Sequence, residues 1–181
     1  GASYLTLISS TATGFLGYDQ MPLTDRKQVV QKAMQQVMDA GTDVSKLKKE
    51  HIEDYKALFS RQDFSLHTDR SGRTDKLLKD PAAFQAVCEL LYHYGKYLMI
   101  SGSRRGGQPL NLQGQWNANI RPAWSSNYTV NINTQMNYWG ASLCGLQECL
   151  EPYLRMVHEV CKRGEKTAKV NYGCRGFACN H

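Results

Sequence analysis

The chain has 181 residues, 41% of them hydrophobic and 21% charged, with a net charge of +6. Such a length and composition fit one globular domain or one and a fraction, and no window approaches the roughly eighteen apolar residues that a membrane span needs. The basic stretches "KLKKE", "SRRGG" and "CKRGEKTAK" are separate and mixed with acids, so they read as solvated helix faces rather than a nucleic-acid surface.

The start, "GASYLTLISSTATGF", has neither a basic n-region nor an A-x-A cleavage site. With small residues where an initiator Met would stand, it reads as a piece excised from a longer chain, so a signal upstream stays open. Residues 3–9, "SYLTLIS", predict a short strand. No hairpin partner follows, so it reads as the last strand of an upstream domain or one that pairs between chains.

From Thr24 the period becomes helical: Val30, Ala33, Met34, Val37 and Met38 share a face, and Gly41 ends the run. Val44, Leu47, His51, Tyr55 and Leu58 mark a second helix capped by Thr42 or Asp43, with His51 a packed histidine. "RQDFSLHTD" breaks the pattern and predicts an extended segment. Asp80-Pro81 then starts the clearest helix, with Asp80 as a structural cap. Its apolar stripe is Phe84, Val87, Leu91, Tyr94 and Leu98, and it ends near Ser101-Gly102.

Residues 102–130 are rich in Gly, Pro, Asn and Ser without periodicity, a long loop of the kind that is functional or disordered. Its aromatic content and few charges argue against disorder. A helix follows from about Thr134, and another carries Leu150, Leu154, Val157 and Cys161 to a stop at Gly164. A short one covers 165–172. The chain stops at "GCRGFACNH", which reads as truncation. The fold class expected is mainly α, in antiparallel helical hairpins, with a short β segment at the N-terminus.

Six cysteines stand at 88, 144, 149, 161, 174 and 179 without a C-x-x-C pair, which argues against structural zinc. Cys88 and Cys161 lie on apolar stripes of predicted helices and read as buried small hydrophobes. Cys174 and Cys179 flank a Gly-rich bend where a disulfide is conceivable, but free thiols are expected.

The stretch from 111 to 139 concentrates three Trp, two Tyr, seven Asn and several Gln in 29 residues. Sugars offer flat C–H faces to aromatic rings and a fan of hydroxyls to planar amides, each with two donors and an acceptor. Carbohydrate is therefore the natural ligand class. The competing reading is a buried polar network closing one end of a helical array, with the Trp as core.

Residues in that region carry a resemblance. "YGKYLMISGSRRGGQPLNLQGQWN", "PAW", "YTVNINTQMNYWGASLCGLQECLEP" and "GCRGFACNH", in this order from about Leu90 to His181, resemble the catalytic domain of family 95 glycoside hydrolases. These are inverting 1,2-α-L-fucosidases, in a family that also contains α-L-galactosidases. "LQGxWN" and "NINTxMNYW" are long, unusual strings. The resemblance implies a partial (α/α)6 barrel over 66–181, a helical linker over 19–65, and over 1–18 the tail of an upstream β-sandwich domain.

It also implies hydrolysis of terminal α-1,2-linked L-fucose on a fucosylated oligosaccharide or glycan, with no metal or organic cofactor and no nucleic-acid or membrane partner. A compartment is not fixed: secreted, periplasmic or cytoplasmic in a glycan-degrading microbe. In the family a Glu is the general acid, and water is activated by two Asn in N-x-N spacing, the second polarised by an Asp. The pair maps to Asn131 and Asn133. N-x-N serves if the segment is extended, because alternate side chains then share a face. Both family carboxylates lie well downstream, and this chain ends 48 positions after Asn133. Glu148 and Glu151 sit at a helix start, where acids suit the dipole.

Trp116, Trp124 and Tyr128 map to loops facing the sugar cleft, and Gln135 and Asn137 to substrate-binding or supporting positions. Tyr138 and Trp139 are expected in the core. "NYW" is usually followed by Pro in relatives, and here Gly140 stands there. Where relatives show paired His, only His181 matches. Arg104 and Arg105 read as solvated loop charges. On this basis the 181 residues alone are expected to be inactive and to form homo-oligomers through exposed apolar stripes. The alternative is a non-catalytic carbohydrate-binding or interaction module.

Overall fold

The computed structural model describes residues 3–69 and 71–180. They are mainly helical, and they divide into two compact units, Gly1–Glu53 and Asp54–His181.

In the first unit, residues 3–9 form no strand. A strand needs a neighbour to take its amide and carbonyl groups, and none is present among the described residues; Tyr4, Leu5 and Leu7 stay exposed. At Gly14 the chain turns back so closely that a Cβ would lie 2.2 Å from the Leu23 carbonyl oxygen. The Leu23 N–H donates to the Gly14 carbonyl at 2.7 Å, a contact only glycine admits. Helix α1, Arg26–Ala40, starts where Asp25 accepts from the Lys27 N–H at 2.8 Å, and stops at Gly41 with φ 69°. Its apolar residues Val30, Ala33, Met34, Val37 and Met38 line a shallow cleft with Ser10. Helix α2, Val44–Phe59, is capped by Asp43, which accepts from the Lys46 N–H at 3.0 Å. His51 is exposed rather than packed: only Leu58, at the end of α2, is fully buried.

In the second unit the core is Leu58, Met99, Ile100, Leu110, Tyr138, Ala141, Leu146 and Cys149. Burying side chains the size of Ile100 and Leu146 stabilises by about 1.5–3 kcal/mol each. The short α3, Thr74–Leu77, precedes a 3-10 turn, Pro81–Ala83, capped by Asp80 through the Ala82 N–H at 2.9 Å. Helix α4, Phe84–Gly102, follows directly.

The stripe expected to pack α4 faces mostly outward: Phe84, Leu91 and Tyr94 are exposed. The buried face carries Ala86, Glu89, Lys96, Met99 and Ile100 instead. The reason is a polar seam along residues 59–66, the irregular stretch after α2. Lys96 donates to the Phe59 carbonyl at 2.7 Å and to that of Gln62. Tyr92 donates to Gln62 Oε1 at 2.7 Å, His93 Nε2 lies 3.1 Å from the Phe64 carbonyl, and Glu89 accepts from the Leu66 N–H and Ser65 hydroxyl. Positions 89, 92, 93 and 96 recur at helical spacing, so one face meets the whole segment. Lys96 also lies 4.7 Å from the Phe59 ring centre, and burial pulls its ammonium below the ordinary lysine value.

The helix expected from Thr134 is two short ones, α5 (Asn133–Asn137) and α6 (Trp139–Leu143), separated at Tyr138 with φ −106° and ψ 1°. A 3-10 turn, Gln147–Leu150, leads into α7, Glu151–Tyr172. Helix α7 runs through Gly164 instead of stopping there. That glycine serves an approach: a Cβ would lie 2.7 Å from the Ala178 carbonyl oxygen, and the Ala178 N–H donates to the Gly164 carbonyl at 3.1 Å. The stop comes at Gly173, left-handed at φ 63°, whose N–H reaches the Lys169 carbonyl at 3.2 Å. Cys174 and Cys179 are exposed free thiols, and Cys88 and Cys161 are half-buried. No helix among the described residues is long and apolar enough to cross a membrane.

Candidate functional site

The long loop is ordered by its own hydrogen bonds and by one buried hub. Tyr138 projects its hydroxyl into the core, where it accepts from the Leu110 N–H at 2.9 Å and meets Ser103 Oγ at 2.8 Å. Ser103 Oγ in turn donates to the Cys149 carbonyl at 2.8 Å. Three distant points of the chain are thus tied to the end of α5, and burial pushes the Tyr138 phenol up. Its ring stacks on Tyr153 at 4.9 Å. Tyr138 is therefore core, as expected; Trp139 is not, being 63% exposed.

Within the loop, Asn111 and Gly114 form a bridge, and the Leu112 N–H reaches the Asn127 carbonyl at 3.2 Å, joining its two limbs. Gln113 links them again through Nε2 to the Ala123 carbonyl at 3.2 Å and through Oε1 to the Ser126 hydroxyl. Gln115 Nε2 donates to the Gly102 carbonyl at 3.0 Å. Trp116 lies over Gly102, where a Cβ would come within 3.0 Å of its ring, and within 6.4 Å of the Tyr97 ring centre. Its indole is half exposed.

Trp124, Ser125 and Ser126 have φ of 54°, 54° and 49°, three successive non-glycine residues in the left-handed region. Each such residue costs roughly 1–2 kcal/mol. The turn leaves the Trp124 ring 76% exposed. Tyr128 donates its hydroxyl to the Pro109 carbonyl at 3.2 Å, and burial raises its phenol above the ordinary value. Among the described residues, no ring contact joins Trp116, Trp124 and Tyr128 to one another.

The expected amide pair lies at a turn, not on an extended strand. Asn131 and Ile132 form the turn, Ile132 has φ −160° and ψ −40°, and Asn133 opens α5. Thr134 closes it, its N–H and hydroxyl both directed at the Thr129 carbonyl at 3.0 and 2.8 Å. The backbone direction reverses because the Asn-rich stretch meets a helix start, where alternation gives way to the helical period. Gln135 Nε2 donates to the Val130 carbonyl, and Asn137 Nδ2 to that of Asn111 at 2.9 Å, so both amides brace the loop. His181 lies outside the described residues.

The contrast among the amides is informative. Asn111, Gln113, Gln115, Asn117, Asn127, Gln135 and Asn137 all engage other groups of the chain. Among the described residues, the side chains of Asn131, Asn133 and Asn119 do not. The first two are exposed and half-buried. Planar amides with unspent donors and acceptors at a turn suit hydroxyl-rich ligands.

Nearby charges are committed elsewhere. Glu148 accepts from Arg61 Nη1 at 2.6 Å, which lowers its carboxyl to about 2. Glu151 accepts from the Gly106 N–H at 3.2 Å. Arg104, expected to be solvated, pairs with Asp54, while Arg105 is exposed.

Residues 43–181 match the model of the glycosyl hydrolase family 95 catalytic domain. The chain belongs to glycoside hydrolase family 95. Its mainly helical architecture is that expected of part of an (α/α)6 barrel. Similar proteins are Alpha-L-fucosidase 2 of Arabidopsis thaliana, 32% identical over 191 positions covering 99% of this chain and 22% of the relative. Probable alpha-fucosidase A of Aspergillus niger is 39% identical over 136 positions, covering 71% and 17%. Its namesake in Aspergillus oryzae is 33% identical over 192 positions, covering 97% and 26%. This family 95 chain thus spans about a sixth to a quarter of the length of these relatives.

Sequence reading missed Thr134, Gln113 and the Ser103–Tyr138 hub. Nothing in spacing distinguishes a Thr that closes a turn from one that caps a helix. The alternation of free and engaged amides depends on backbone carbonyls that only the folded loop brings near.

Proposed function

We propose that this family 95 chain forms part of an inverting α-L-fucosidase that releases terminal α-1,2-linked L-fucose from glycans. Asn131 and Asn133 hold the attacking water, each carbonyl accepting a hydrogen bond from it. An amide is a poor base, so an Asp must orient the pair and take up charge, while a Glu protonates the departing glycosidic oxygen from the opposite face. The resemblance supports a Glu and an Asp downstream of the pair, and neither is assigned to a residue of this chain. Trp116, Trp124 and Tyr128 offer rings to the sugar, with Gln135 and Asn137 bracing the loop and His181 a further contact. Residues 66–181 belong to the barrel, 19–65 to a linker and 1–18 to the tail of a β-domain.

The observation that carries this reading is the contrast among the amides: seven engage their own chain, whereas Asn131 and Asn133, the two in N-x-N spacing, do not, nor does the exposed Asn119. The test is hydrolysis of 2′-fucosyllactose by the complete reading frame that encodes this chain, with Asn133→Asp and Asn133→Gly beside it. Fucose release that both substitutions reduce by at least about 100-fold supports the assignment. The 181 residues alone are expected to give background release and to associate.

A second reading is favoured by the turn at 131–132, which departs from the extended N-x-N geometry. On it, the chain is a non-catalytic carbohydrate-binding module. Binding of 2′-fucosyllactose without release by the complete protein would support it.

A further inference from the structure

The turn that carries Asn131 and Asn133 is closed by Thr134, with Gln135 Nε2 on the Val130 carbonyl and the Met136 N–H on that of Ile132 beside it. Thr134 is 2% exposed, and both its N–H and its Oγ1 point at the Thr129 carbonyl oxygen. Thr129 is itself buried and fixed, its hydroxyl donating to Asn127 Oδ1 at 2.6 Å. Asn131 lies in the middle of this closed turn and Asn133 immediately precedes Thr134.

We propose that Thr134 is the positioning residue for the amide pair, its hydroxyl setting the orientation in which Asn131 and Asn133 meet a water or sugar hydroxyl. The inference rests on the hydrolytic reading above. Two bonds from one residue to one carbonyl fix an angle as well as a distance, whereas the N–H alone leaves the angle at the Thr129 carbonyl unset. A β-branched side chain has few rotamers, so the hydroxyl direction is set by the backbone and in turn sets it. The Thr134 peptide is joined directly to Asn133, so any pivot swings the Asn133 side chain. Ile132, at φ −160° and ψ −40°, is outside the helical region, and the Met136 N–H on its carbonyl at 2.8 Å ties the turn to α5 without touching the Thr129–Thr134 joint.

The hydroxyl is separable from the fold. Valine at 134 keeps the shape, the burial and the N–H bond, and leaves the Thr129 carbonyl with a partner. A purely structural residue would therefore show a small stability loss and nothing specific in the kinetics. A positioning residue shows a rate loss, because displacements on the order of 1 Å at a reacting group cost about 100-fold.

The experiment compares Thr134→Val, Thr134→Ser and Asn133→Gly in the complete reading frame, with 2′-fucosyllactose as substrate and thermal midpoints in parallel. Thr134→Val is expected to lower kcat by at least about 10-fold with KM within about twofold of the parent. Serine, which restores the hydroxyl, is expected to recover kcat to within about threefold. A valine variant as fast as the parent, or a serine variant as slow as valine, overturns the positioning role while an impaired Asn133→Gly leaves the hydrolytic reading standing. A parent that releases no fucose, or an Asn133→Gly variant as fast as the parent, overturns both.

Discussion

Arg61 holds Glu148 across 87 positions of sequence, Nη1 to Oε2 at 2.6 Å, while the same nitrogen donates to the Gly145 carbonyl at 3.1 Å. This pair joins the end of α2 to the turn before α7. It also removes from consideration the carboxylate nearest in sequence to the amide pair, because a group held at about 2 cannot deliver a proton near neutrality.

The pair gives a pH signature. The Glu148 carboxyl falls from its ordinary 4.5 to about 2 in the folded protein, chiefly through the Arg61 hydrogen bond. A depressed acid contributes stability above its unfolded value and loses it as pH falls through the folded one. Thermal midpoints should therefore decline between about pH 4.5 and 2, and Glu148→Gln should flatten that limb while lowering the midpoint at pH 7. Parallel curves for both proteins would count against it; both side chains are partly exposed, so the difference is modest.

Lys96 predicts a larger effect. Its Nζ serves the carbonyls of Phe59 and Gln62 from a side chain only 2% exposed. Methionine keeps the length but leaves both acceptors without that donor, while relieving the buried charge. The expected net loss is about 2 kcal/mol, read from urea unfolding midpoints at constant slope. A change below about 0.5 kcal/mol would show that solvent replaces the ammonium without cost.

The left-handed turn at 124–126 predicts a gain. Ser125 has φ 54° and an exposed side chain, so glycine there removes steric strain without removing a packed group. Ser125→Gly should stabilise by about 1 kcal/mol, part of the relief being offset by the freer unfolded chain. Denaturant titration decides the sign, and a destabilised variant would mean the strain is already relieved by the surrounding bonds.

Gly164→Ala should act locally. The helix gains propensity, but the new Cβ meets the Ala178 carbonyl at 2.7 Å and the segment after Gly173 must move away. Faster hydrogen exchange at the Ala178 N–H, with the rest of α7 unchanged, is the expected result. Unchanged exchange would show that backbone shifts absorb the contact.

Much of the helical order was legible because its punctuation is chemical. Asp80 caps as its spacing implies, Asp43 is the cap of the two candidates before α2, and Gly41 ends α1. Gly164 misled for a physical reason: a glycine reads alike whether it ends a helix or admits a passing backbone. The orientation of α4 was illegible too, because period alone favours the side with Phe84, Leu91 and Tyr94. Burial instead follows Glu89 and Lys96, which reach main-chain atoms of Leu66, Phe59 and Gln62 that leave no trace in side-chain pattern. At the site, "NINT" marked the amide pair, but which amides stay unspent depends on carbonyls gathered by the loop.

The seam on α4 has an evolutionary consequence. Glu89, His93 and Lys96 address main-chain atoms of residues 59–66, and every residue type offers the same carbonyl. Side chains at 62, 64 and 65 add to the joint, through Gln62 Oε1 to Tyr92, the Phe64 ring on Tyr92 and the Ser65 hydroxyl to Glu89, but its main-chain bonds outlast their substitution provided the backbone path is kept. Position 66 is the exception, since proline there would abolish the amide that Glu89 accepts. Selection on this segment thus acts on backbone path as well as on letters, and part of the joint survives a change of side chain.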